Sequence, residues 1–187
     1  MDRKMVTCES IILPVDHIRQ KNVCGCGLAA IEMVLKYYGA TETQTDFCED
    51  RRISRQVESA KSGLSEGTLG VLALKRGYNA MIIGMRPRLT KTFLRLGGKV
   101  RRIKTDKHLI IQCLKRRTPP IVLIPKVSEA YELEREEIGH YVVINGIDSK
   151  CKLSIIDPQY THKPKQEYWD NWSSTIIEIK PANRPGV

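Results

Sequence analysis

Aromatic residues are scarce in this chain. They make up 6% of 187 residues, with only two Phe and two Trp, so any core must be mainly aliphatic. No apolar run approaches the roughly 18 to 20 residues that cross a bilayer, and no transmembrane segment is expected. The charged start, Met1-Asp2-Arg3-Lys4, lacks the apolar stretch of a secretory signal. Cysteine is thin as well. Cys8, Cys24, Cys26, Cys48, Cys113 and Cys151 sit at irregular spacings, too few for a disulfide scaffold at this length and without the paired C-x-x-C of a zinc site. The expectation is reduced thiols, a cytoplasmic location, and no metal or cofactor. There is no internal repeat, low-complexity tract or linker, so residues 1–187 read as one domain with a core over about 11–179.

Charge is present in quantity but unevenly placed. The net charge is +10, yet the stretch from Lys75 to Arg117 alone carries 14 basic residues against one acid, Asp106. This basic segment, 75–117, is expected either to be a solvated face or to meet an acidic peptide or another anionic partner. Nucleic acid is disfavoured, because only Tyr78 and Phe93 interrupt the basic run to stack on bases. The opposite sign follows in an acidic loop, 129–137, with Glu129, Glu132, Glu134, Glu136 and Glu137.

Leu28, Ile31, Leu35 and Tyr38 recur at helical spacing. They predict a helix from Cys26 to Tyr38, with Gly25 and Gly27 marking its start and Gly39 its end. A second helix is expected from Glu66 to Arg76 behind Ser65, leading to a strand from Ala80 to Ile83. A third runs from Lys107 to Arg117, capped by Thr105 or Asp106 and stopped by Pro119-Pro120. Ile121 to Ile124 reads as a buried strand, His140 to Ile147 and Lys152 to Ile156 as a hairpin, and Ser174 to Ile179 as a last strand. A mainly helical N-terminal half followed by a mainly antiparallel C-terminal half makes an α+β fold. Trp169 and Trp172 read as packing residues.

Cysteine catalysis needs a thiolate, an imidazole, a group that orients the imidazole, and donors for the oxyanion. Cys26 stands at a helix start, where the partial positive charge favours an anion. His140 opens a strand, and Asp157 ends the strand that pairs with it. Gln20, six residues before Cys26, can bring a side-chain amide to the nucleophile. Cys24 is the rival thiol, but it falls outside the helix register. His17, His108 and His162 have no such company.

Leu13-Pro14-Val15, Gln20, Cys26-Gly27-Leu28-Ala29, Met33 and Tyr37-Tyr38-Gly39 resemble the N-terminal signature of papain-like cysteine peptidases related to the bacteriocin-processing, double-glycine-leader peptidases. Gly139-His140-Tyr141-Val142-Val143-Ile144 and Ile155-Ile156-Asp157-Pro158 match the family's later elements in order. The resemblance implies a papain-like fold with Cys26 as nucleophile, His140 as general base and acid, Asp157 as its orienting group and Gln20 as an oxyanion donor. It implies hydrolysis of a peptide or protein amide through a thioester. Transfer of the acyl group to an amine is the alternative, as is a weakly active binding module that meets an anionic partner through the basic segment. The family's transporter-linked members carry a membrane span and a P-loop; this sequence shows neither.

Overall fold

The computed structural model describes residues 9–22, 24–58, 63–131, 138–160 and 164–182. Its centre is a seven-stranded sheet formed by β1 (Ile11–Ile12), β2 (Tyr78–Ile83), β3 (Lys99–Arg101), β4 (Ile121–Lys126), β5 (Ile138–Ile147), β6 (Leu153–Ile156) and β7 (Ile176–Pro181). The order is β1-β5-β4-β7-β2-β3, with β6 also paired to β5. All pairings are antiparallel except β2 with β3. Strand β7 therefore lies inside the sheet, bonded to β2 along its length and to β4 at Ile121 and Val122.

The helices are α1 (Cys26–Tyr37), α2 (Gln44–Phe47), α3 (Arg51–Glu58), α4 (Glu66–Lys75), α5 (Lys91–Arg95), α6 (Lys107–Lys115) and α7 (Val127–Tyr131). The three expected helices end one or two residues early. Every residue of α1 from Cys26 to Leu35 is buried, which explains why it is apolar almost all round. Gly27 lets α1 approach its neighbours closely: a Cβ there would lie 3.1 Å from Leu69 and 3.3 Å from Tyr141. Helix α4 starts on the Ser65 hydroxyl, which accepts from the Thr68 N–H at 3.2 Å. Asp106, rather than Thr105, caps α6 by accepting from Leu109 N–H at 3.0 Å. The Thr105 hydroxyl instead donates to the Ser174 carbonyl at 2.7 Å, joining α6 to the start of β7.

The N-terminal half is mainly helical, and the strand expected from Ala80 to Ile83 is β2; β1 and β3 are additions, since two and three residues are too short to show a period. One expectation needs correction. Cys151 is disulfide-bonded, so the six thiols are not all reduced. It sits in the β5–β6 turn at φ 58°, a position set by the Asp148 turn rather than by any cysteine spacing. Cys24, Cys26, Cys48 and Cys113 are free. Trp169 and Trp172 pack in the core with rings 5.7 Å apart. Among the described residues no helix is long and apolar enough to cross a membrane. Residues 132–137 of the expected acidic loop, and His162, lie outside the described residues.

Candidate active site

Cys26 is the first residue of α1, behind Gly25, and its side chain is buried. Gly25 makes no side-chain cap, so the positive end of the helix is left to the thiol and whatever it holds. His140 stands near the start of β5, paired across to Ile124 on β4. The Cys26 thiol is close enough on one side of its ring to favour the charged imidazole. On the other, Nε2 lies 2.9 Å and 3.0 Å from Asp157 Oδ1 and Oδ2. A carboxylate can only accept, so Nε2 carries the proton and Nδ1 is the nitrogen left for the thiol. The thiol of Cys24, half-buried in the preceding turn, is pushed up by burial and by Cys26.

Asp157 follows directly on β6, whose Ile156 pairs with Val143 of β5; this register brings its carboxylate to His140. Its Oδ1 also accepts the backbone N–H groups of Gln159 at 2.7 Å and Tyr160 at 2.8 Å. Its Oδ2 accepts the Tyr131 hydroxyl from the end of α7. Burial alone would raise the Asp157 carboxyl, but the bonds from His140, Tyr131 and the backbone hold it below the usual carboxylate range. For His140 burial works toward the neutral ring, yet Asp157 and Cys26 outweigh it and push the imidazole up to about 9. The Tyr160 ring stands edge-on to His140 at 5.3 Å and against Tyr131 at 4.7 Å, closing an aromatic wall around the pair.

Gln20 reaches the same end of the sheet. Its backbone N–H donates to the Pro158 carbonyl at 2.9 Å, tying the loop before α1 to the residue after Asp157. Its side-chain amide donates to the Asn22 carbonyl at 3.0 Å, and that carbonyl also receives the Gly25 N–H at 2.9 Å. All four expected site residues thus belong to one connected region. His17, expected to be without company, has its Nε2 2.8 Å from the Asp157 carbonyl and, with Arg19 and Tyr160, lines a cavity of about 370 Å³ behind Asp157. Tyr131, Tyr160 and His17 were not legible as site residues, because Tyr131 and His17 reach Asp157 from far along the chain and Tyr160, three residues after Asp157, contributes a backbone N–H and a ring face.

The family model described as the Peptidase_C39 like family matches residues 12–177. No curated protein matches the sequence. Among solved structures, a double glycine motif protease from an AMS/PCAT transporter, crystallised in complex with the leader peptide, is similar with a TM-score of 0.56 and 19% sequence identity, over 94% of this chain and 99% of that one. A sheet-and-helix arrangement that extends over nearly the whole of both chains at so low an identity is a shared fold, and the family match covers the segment from β1 into β7. The chain therefore belongs to the Peptidase_C39 like family, with the papain-like fold and the class of a cysteine peptidase.

Proposed function

We propose that the chain hydrolyses a peptide amide with Cys26 as nucleophile, His140 as general base and acid, Asp157 as orienting group and Gln20 as an oxyanion donor. The observation that carries this is the Cys26 thiol at the start of α1 beside His140, which is bonded in turn to a carboxylate with four donors on it. Cys26 Sγ attacks the carbonyl carbon after its proton passes to His140 Nδ1. The developing oxyanion takes N–H donors from the helix start and from the Gln20 amide. His140 then gives its proton to the leaving amine, and a thioester remains. Water loses a proton to His140, attacks the thioester, and frees Cys26. Asp157 keeps the ring in one tautomer and steadies its charge throughout.

The similar solved protease, bound to a leader peptide, makes a peptide with two glycines before the scissile bond the first substrate to test. Cys26→Ala and His140→Ala are expected to lower turnover of a peptidyl-Gly-Gly-aminomethylcoumarin amide by at least about 10⁴-fold, with circular dichroism unchanged. Turnover at the wild-type rate in Cys26→Ala would overturn this reading. For the basic segment we carry forward a docking face for an anionic partner: Arg86, Arg95, Lys99, Arg101 and Arg102 are exposed in the same segment as exposed Met85, Leu94 and Leu96, which suits an acidic stretch of a substrate.

A further inference from the structure

We propose that Gln44 is a positioning residue that fixes the loop carrying Gln20 against the nucleophile helix, so that the oxyanion donor is set before substrate arrives. This rests on the reading of Gln20 as that donor. Gln44 opens α2 and is buried at 3% exposure. Its Oε1 accepts the Lys21 N–H at 3.0 Å, and its Nε2 donates to the Arg19 carbonyl at 3.1 Å. The two bonds bracket Gln20. With the Gln20 N–H given to Pro158, three consecutive residues of the loop are pinned through their backbone.

The other end of the tether is on α1. Gln44 Nε2 and the Gln44 backbone N–H both donate to Glu32 Oε2, at 3.1 Å and 3.0 Å. Glu32 lies six residues after Cys26, is itself 3% exposed, and its other oxygen faces Lys36 Nζ at 2.9 Å. A buried carboxylate is costly unless every partner is in place, and two apolar side chains would join α1 to α2 as well for packing alone. What they would not do is set direction. An amide used at both its oxygen and its nitrogen has one orientation, and it passes that orientation to the backbone on both sides of Gln20. Donors that are set beforehand need no reorganisation as charge develops, and a misplacement of about 1 Å is enough to cost about 100-fold.

The test is a double-mutant cycle on the full chain, with peptidyl-Gly-Gly-aminomethylcoumarin as the probe. Gln20→Ala is expected to lower kcat about 100-fold, the loss of one oxyanion donor. Gln44→Met, which keeps size and loses the amide, is expected to lower kcat about tenfold, with KM within about twofold. In the Gln20→Ala background the same change is expected to cost less than about twofold, because its effect passes through Gln20. Alkylation of Cys26 by iodoacetamide keeps its wild-type rate in Gln44→Met, since the Cys26–His140 pair is not on the tether. A tenfold loss in both backgrounds would sink the tether while leaving Gln20 as the donor; a silent Gln20→Ala would sink the reading of Gln20, and the tether with it. Amide exchange at Lys21, read by mass spectrometry, needs no substrate: it should quicken in Gln44→Met, and unchanged exchange overturns the proposal. If Gln44→Met does not fold, Gln44→Glu keeps the acceptor for Lys21 but loses the donor to Arg19 and Glu32, and goes through the same cycle.

Discussion

The end of the sheet that holds Cys26, His140 and Asp157 and the edge that holds the basic segment handle charge in opposite ways. At the first, charged and polar groups are buried and each answers another: Asp157 takes donors from β5, α7 and its own loop, and Glu32 takes them from α1 and α2. At the second, β3 is the last strand of the sheet, and Lys99, Arg101 and Arg102 face solvent. Some of the segment's cations are committed to acids, as Arg88 is to the buried Glu66, Arg116 to the buried Glu178 and Lys107 to the exposed Asp170. Besides the β2–β3 ladder, one ring anchors this edge to the core. Phe93, fully buried, fills the place where a Cβ on Gly70 or Gly98 would come within 2.4 Å and 2.3 Å of it. One region is therefore built on a polar network and the other on a strand ladder with an apolar anchor, and they should fail differently.

Asp157→Asn breaks the network. It is expected to lower kcat/KM by about 10² to 10³-fold and to move the basic limb of the pH–rate profile downward, because the imidazole loses the carboxylate that holds it near 9. Stability follows the same logic. With its folded value raised from 6.5 to about 9, His140 contributes fully below pH 6.5, and that contribution fades between 6.5 and 9. Asp157 runs the other way: its lowered value makes its share present at neutral pH and lost on acidification. Denaturant unfolding at pH 6 and pH 9.5 should show the high-pH loss in the wild type and little of it in Asp157→Asn; identical losses would refute the coupling.

Phe93→Ala attacks the anchor instead. It should cost about 3–5 kcal/mol of stability, yet below its denaturation temperature the surviving folded protein should alkylate Cys26 at the wild-type rate. Loss of that reactivity in the folded state would show that the two regions are not separate. The smallest effect is expected from replacing Lys99, Arg101 and Arg102 together by Ala: turnover of the small Gly-Gly amide should not change, while cleavage of a peptide with an acidic stretch should weaken and lose its salt dependence.

The fold was legible wherever a long element carried its own period or punctuation. Cys26 to Tyr38, the Ser65 start and the Pro119-Pro120 stop all emerged within a residue or two. Missed were α2 and α3, where Ile53 and Val57 are the only buried residues of an otherwise charged α3, and β3, whose Lys-Val-Arg reads as more of the basic run. At the site, Cys26, His140, Asp157 and Gln20 were legible through their motifs. Tyr131 was not, because a tyrosine beside five glutamates has no local feature that points to a carboxylate 26 residues away. Gln44 was equally silent: two of its partners are backbone groups, which leave no trace in residue type, and the third, Glu32, lies 12 residues away on another helix.

Strand β7 comes last in chain order but sits between β4 and β2. During synthesis the β2–β3 pair and the β4–β5–β6 group therefore emerge with no strand to join them, each presenting an open row of backbone donors and acceptors. Until residues 176–181 leave the ribosome, the nascent chain carries both margins without the strand that lies between them in the finished sheet. The step that completes the sheet is an insertion, and it sets a window in which a neighbouring copy's strand competes for the same slot.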